Sequence, residues 1–398
     1  MRLLGTVARG LRAPIFNQGD DIAQIATDVI LQCQQEGVFE IQDRDIFALT
    51  ESVVARTQGN YASVDDITED LIRLLGGKVP TLGLALPIMS RNRFAMLLEG
   101  MAGAADEVIV QFGYPSDEVG NHLIEPEVLE EAGVDPYHDV FTEEEWVSRF
   151  GKIRHTFTGV DYVSLYREIV EATGARYRAV FANDVRTILK DTDVVINCDI
   201  HTRYRSQRRL QKAGCKTVMM LDNILTKPVN GSGYNADYGL LGSNKADNRR
   251  VKLFPRDCTE VSMQIQKLVL EATGKRIEVM VYGDGAFKDP VGKIWELADP
   301  VVSPGFTPGL EGRPSELKLK YLADNEFAWM DANQQSEAIR KSIREKDSDL
   351  TGAMAAEGTT PRRITDLLGS LSDLVSGSGD KGTPFVYIQG YFDNYADD

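Results

Sequence analysis

Thr81–Ile88 reads TLGLALPI, Ser90–Ala105 reads SRNRFAMLLEGMAGAA, and Asp106–Tyr114 reads DEVIVQFGY. The first and last stretches are apolar enough to be strands buried on both faces. The stretch between them has helical character, with Ser90 placed to cap it. Two further strand patterns follow, DVVINCDI at Asp193–Ile200 and TVMMLD at Thr217–Asp222. Strands alternating with helices of this length predict a parallel, doubly wound sheet. Such sheets take ligands at the carboxyl ends of their strands. The polar groups expected there are Tyr114–Asp117, Asn183–Asp184 and Asp199–His201.

The flanking sequence has a different rhythm. Asp20 or Asp21 is placed to cap a helix through IAQIATDVILQCQQ (Ile22–Gln35), which Gly37 stops. Asp45–Ala55, DIFALTESVVA, reads as a buried strand interrupted by Thr50, Glu51 and Ser52. Asp65–Leu75 reads as an amphipathic helix ended by Gly76 and Gly77. Past the Gly- and Asn-rich run at Gly231–Asn248, a helix at Glu260–Thr273 leads into a strand at Arg276–Tyr282, and PFVYIQGYF forms a last strand. The predicted class is α/β, α+β in the flanks, with mixed sheets and an inserted, mainly parallel doubly wound domain. The predicted boundaries are 1–78, 79–229 and 230–398, the outer two packing together.

A chain of 398 residues exceeds one ordinary core, so two or three domains are expected. A net charge of −16 repels phosphate backbones and anionic lipid, which disfavours nucleic acid and membranes as partners. Any phosphate must therefore be held by local groups. Cys33, Cys198, Cys215 and Cys258 form no CxxC pair and read as reduced, buried thiols. No stretch approaches the roughly 20 apolar residues of a membrane helix, and MRLLGTVARGLRAP lacks a signal-peptide core. The expected location is the cytoplasm.

No GxxxxGK[ST], GxGxxG after a strand, HExxH or GxSxG occurs. GSGDKG at Gly377–Gly382 precedes a strand, where backbone N–H groups can face an anion. Asp284 ends an apolar strand between Gly283 and Gly285. It reads either as a carboxylate for Mg²⁺ or Mn²⁺ or as a turn aspartate bonding its own backbone.

Several stretches together resemble one family. Gly10-Leu11-Arg12-Ala13-Pro14-Ile15 with Gly19-Asp20-Asp21-Ile22 is similar to the opening of the coenzyme F-420-0:γ-glutamyl ligases. Arg44–Gly59, Glu271–Arg276, Gly283–Gly285 and Gly377–Pro384 resemble later family motifs, in order. The family adds glutamate to a carboxylate on a deazaflavin side chain, with GTP and a divalent metal. The resemblance therefore implies an amide ligase that uses GTP (or ATP) and Mg²⁺ or Mn²⁺, acting on a small acid and L-glutamate, as a homodimer. It implies that Gly10, Leu11 and Arg12 lie against the nucleotide, with Glu51 and Ser52 on its other side. Arg56 replaces the family's lysine, and a planar fork is not an equivalent phosphate contact. Asn244 matches a nucleotide-contacting asparagine, and Gly377, Gly379, Asp380 and Gly382 match the late glycine loop. Asp284 is the implied metal carboxylate. The family's other metal positions fall at Leu241 and Ser378, with Gly285 in place of a hydroxyl residue; Asp237 or Asp380 is the nearest substitute carboxylate.

Two other readings stand beside the ligase. One is a ligand-binding or regulatory protein that kept the scaffold and lost metal-dependent catalysis. The other places activity in the middle segment, at Asp117, Asn121, His122, Asp199, His201 and Arg203. The plainer account of that segment is a structural or dimerising domain.

Overall fold

A computed structural model describes residues 3–152, 154–155, 158–284, 300–356, 362–376 and 379–397. The chain forms two units. One comprises Met1–Val54, Asp257–Gly285 and Val301–Asp398; the other comprises Ala55–Arg256 and Ala286–Pro300. The segments 55–78 and 230–256, expected with the flanks, thus fold with the middle segment.

The first unit is built on a five-stranded sheet in the order Val7–Leu11, Phe385–Gln389, Ile46–Thr50, Glu278–Tyr282, Gly305–Phe306. Ile46–Thr50 and Glu278–Tyr282 run parallel; the other pairs are antiparallel. Side chains alternate across it with period two. Phe47, Leu49, Val279 and Val281 bury one face under the helices Ile22–Gln35 and Cys258–Thr273. Ile46, Ala48, Met280 and Tyr282 bury the other under the helix Ile364–Val375. The result is a three-layer α/β/α arrangement. Asp21 caps its helix through Ala23 N and Gln24 N, both at 3.1 Å.

The expected strand at Asp45–Ala55 is corrected. The strand ends at Thr50 and a helix, Glu51–Thr57, begins at once. Glu51 in its first turn suits the positive end of the helix dipole. The helix expected from Ser90 begins instead at Ala95. Ser90 caps the turn before it, its Oγ accepting from Arg93 N at 3.1 Å.

The second unit contains the predicted parallel sheet. Its order is Phe141–Thr142, Arg176–Phe181, Ala105–Phe112, Val79–Ala85, Val194–Asn197, Thr217–Met220. Only the edge strand Phe141–Thr142 is antiparallel. Counted along the chain, the parallel strands lie 3-2-1-4-5, the first five positions of the doubly wound order 3-2-1-4-5-6. The order reverses between Val79–Ala85 and Val194–Asn197, where such folds open a ligand crevice. Here that place is filled. Ile88, Phe94, Leu97, Leu221, Leu240 and Leu241 close around a cavity of about 10 Å³. No described helix is long and apolar enough to cross a membrane.

Candidate functional site

Strand register gathers the expected residues of the first unit at one edge of its sheet. Leu11 pairs with Phe385, Phe385 with Leu49, and Tyr282 with Thr50. Three chains leave this edge, at Arg12, Glu51 and Gly283–Asp284, and the Gly382–Pro384 segment enters it. Ala13 N donates to Gly382 O at 3.4 Å, and Thr50 N donates to Pro384 O at 3.1 Å. A Cβ on Gly10 would lie 3.3 Å from Thr383 Cβ, so the glycine loop lies against the first strand. Gly10, Leu11, Arg12, Glu51, Ser52, Asp284 and Gly382 therefore share one edge, with Gly379 and Asp380 on the incoming loop. Gly377 and Ser378 lie outside the described residues.

The side chains differ in what they can do. Leu11 is a core residue and offers its backbone, whereas Arg12 is exposed. Glu51 is 5% exposed, and Ser52 and Asp284 are half-buried. Cys258 lies in the field of Glu51; burial first, then that charge, push its thiol far above its ordinary pKa, so it is no nucleophile at neutral pH. Sequence reasoning passed over Thr383 as a site residue. Its Oγ1 is buried and has no hydrogen-bond partner among the described residues. A buried orphan hydroxyl at the base of a glycine loop calls for a ligand or water. Its signal was only its place at the end of GSGDKGT.

Arg56, Asp237 and Asn244 fold with the second unit. Arg56 is exposed and stands four residues past Ser52 on the same helix, hence on the same helix face. Asn244 starts the short strand Asn244–Lys245, paired with Lys252. Asp237 is exposed in a turn held by Asn235, whose Oδ1 accepts from Asp237 N at 3.0 Å. Leu241 is 1% exposed in the core. Among the described residues no group of three His, Cys, Asp or Glu side chains is placed to hold a metal ion. A Mg²⁺ ion, however, needs only one or two protein carboxylates when phosphates and water complete its shell. Asp284 fits that lesser demand.

The polar residues of the second unit build loops. Asp199 braces the start of the helix Arg203–Lys212, accepting from Thr202 N at 2.8 Å and Ser206 Oγ at 2.8 Å. Arg203 pairs with Asp222 at 2.9 Å. Asn121 Oδ1 bonds His155 Nε2 at 2.8 Å, and His122 Nδ1 lies 3.4 Å from Ile124 O. His201 is exposed beside the start of the helix Arg203–Lys212. Glu118 as a residue is exposed, but its carboxyl end lies over the start of that helix, accepting from Ile200 N at 2.6 Å and His201 N at 3.1 Å. Enclosure of that end, then the charge of Asp199, raise its pKa from 4.5 to about 8.

A carboxyl whose pKa is higher folded than unfolded takes up a proton on folding. Its effect on stability therefore turns unfavourable as pH rises from the ordinary glutamate range through about 8, and is constant above that. Glu118→Gln should melt progressively higher than wild type as pH goes from about 5 to about 8.5. Calorimetric melts at both ends read this, and a pH-independent difference would contradict it.

No curated protein matches the chain. A family model described as F420-0:gamma-glutamyl ligase matches residues 10–390, the middle segment included. The match takes in both flanks whose motifs meet at the sheet edge. The chain belongs to the F420-0:gamma-glutamyl ligase family, a family of ligases.

Proposed function

We propose that this protein is a nucleotide- and metal-dependent amide ligase that joins L-glutamate, or a similar amino acid, to a carboxylate of a small acidic, cofactor-like molecule. The observation that carries the reading is the convergence of Gly10–Arg12, Glu51, Asp284 and the loop ending in Thr383 at one sheet edge. A carboxylate is a poor acyl donor. In the proposed sequence its oxygen attacks the terminal phosphoryl group of GTP or ATP, and the nucleoside diphosphate leaves. The amine of glutamate then attacks the acyl phosphate carbon, phosphate leaves, and the amine loses a proton. Catalysis of phosphoryl transfer is mostly positioning and neutralisation of charge.

In this proposal the backbone of Gly10–Leu11 and the Gly379–Gly382 loop line the nucleotide; Gly377 lies outside the described residues. Arg12, and Arg56 on the helix that starts at Glu51, offset phosphate charge, and the Thr383 hydroxyl supplies a hydrogen bond. Glu51 and Ser52 flank the other side. Asp284 would hold Mg²⁺ or Mn²⁺; the ion, when bound, would neutralise the crowded phosphates. A cytoplasmic homodimer is part of the same proposal.

The test is calorimetric titration of GTP and ATP, each with and without Mn²⁺, followed by a panel of acidic acceptors scored for phosphate release and amide product. Metal-dependent nucleotide binding with turnover on one acceptor is the expected result. Buried Leu241 favours a second reading, a binding protein that has lost catalysis. Ligand binding with no turnover on any acceptor would select it, and no nucleotide binding under any condition would overturn the ligase.

A further inference from the structure

The same sheet has an opposite edge, where Val7 pairs with Gln389 and Ile388 with Ile46. A polar cavity of about 600 Å³ lies there, lined among others by Arg9, Glu40, Arg44, Asp45, Gln389 and Asp393. The proposed ligase uses none of these side chains. The volume lies within the roughly 300–1,000 Å³ of small-molecule sites.

Two residues of opposite charge, neighbours in the chain, line this cavity. Asp45 is 4% exposed. Its Oδ2 accepts three hydrogen bonds, from Gln42 N at 2.8 Å, Tyr387 Oη at 3.0 Å and Gln389 Nε2 at 2.9 Å. Its Oδ1 accepts none among the described residues. That oxygen is not sealed from solvent, so it can accept from a molecule in the cavity. Arg44, next in the chain, has a left-handed backbone, with φ at 66°, where a non-glycine side chain is uncommon. Its N–H donates to Arg276 O at 2.8 Å. Its guanidinium carbon lies 4.0 Å from the centre of the Phe392 ring, and the guanidinium makes no hydrogen bond or ion pair among the described residues.

The rest of the wall is organised around these two. Arg9 Nη1 donates to Gln389 Oε1 at 2.9 Å, so the Gln389 amide is fixed between Arg9 and Asp45. Asp43 is engaged by Arg276 N at 2.8 Å and Lys275 Nζ at 3.3 Å. Glu40 and Asp397 complete an acidic rim. Such a rim favours an ammonium group, while Arg44 presents the planar fork that pairs with a carboxylate.

We propose that this cavity binds a small zwitterion, a free α-amino acid or a short peptide, with its ammonium group on Asp45 Oδ1 and its carboxylate on the guanidinium of Arg44. The site is separate from the nucleotide edge and does not depend on the ligase reading.

The experiment is calorimetric titration of the full-length protein, without nucleotide, with L-glutamate, glycine, L-alanine, glycylglycine and γ-glutamylglycine. N-acetyl-L-glutamate, which lacks the ammonium group, is the control. At least one zwitterion should bind with a Kd below about 1 mM, and the acetylated control at least about tenfold more weakly. Asp45→Asn and Arg44→Gly should each weaken binding about tenfold or more. Glycine suits a φ of 66°, so Arg44→Gly folds without the strain and separates lost binding from lost structure. Comparing the amino acids with the dipeptides identifies the natural size. Absence of binding by every zwitterion, equal binding of the acetylated control, or wild-type affinity in both variants would each overturn the proposal.

Discussion

Asp284→Ala is expected to lower kcat/KM for amide formation by about 10³-fold, and Asp284→Asn by nearly as much. Asp284 follows Gly283 at the end of Glu278–Tyr282, a strand whose five residues are all buried. The strand is thus a rigid base and the side chain a half-buried tip. A carboxylate alone would repel the phosphates and acceptor acid that the proposed reaction brings here. Its benefit therefore requires a cation between it and them, and the asparagine variant keeps the shape while removing the charge. Loss of turnover in both variants, with melting temperatures within a few degrees of wild type, is the predicted pattern. Phosphate release and mass detection of the amide product measure it. Turnover of Asp284→Ala within tenfold of wild type would remove Asp284 from the mechanism.

The parts of the fold legible in the sequence were those where local pattern and final environment agree. TLGLALPI, DEVIVQFGY, DVVINCDI and TVMMLD are strands in the parallel sheet because strands covered on both faces need no polar alternation. Asp45–Ala55 misled because Val53 and Val54 favour strands by propensity, while both are buried in the helix Glu51–Thr57, within the first unit's core. Packing there outweighs the local preference. The boundaries at Val54 and Arg256 were equally hidden. Asn60 belongs to the second unit through contacts that span the chain, its Nδ2 donating to Phe254 O at 2.8 Å over 194 residues.

The site was half legible for the same reason. Gly10–Arg12, Glu51, Asp284 and the glycine loop come from four separate segments, and the strand register of one sheet brings them together. The opposite cavity had no comparable signal. Asp45 and Gln389 meet over 344 residues, and neither stands in a motif. The strand-end residues of the middle segment carried an ambiguous signal. Carboxylates and histidines at strand ends suit a ligand cleft, and here Asp117 and Asp199 also accept from backbone N–H groups and neighbouring side chains.

Asp117 makes that last point measurable. Asp117→Ala is expected to destabilise the second unit by at least about 4 kcal/mol, as three backbone donors and one amide lose their acceptor at about 1–3 kcal/mol each. Its Oδ2 accepts from Met89 N at 2.8 Å and Asn121 Nδ2 at 2.7 Å, and its Oδ1 from Val119 N at 3.1 Å and Asn121 N at 2.9 Å. Met89 lies beyond the strand Val79–Ala85, and Val119 and Asn121 beyond Ala105–Phe112, so this one carboxylate ties together the loops leaving two adjacent strands. Asn121 then passes the restraint to His155. Asp117→Asn should be nearly as damaging, because its NH₂ would face donors. At about 2–4 °C per kcal/mol for a unit near 200 residues, the alanine variant should lower that unit's melting temperature by about 8 °C or more. His201→Ala, at an exposed position beside the same loops, should lower it by far less. Scanning calorimetry of both variants decides the matter. A normal melt for Asp117→Ala, together with loss of turnover, would show that the carboxylate serves a reaction in the second unit rather than holding its loops.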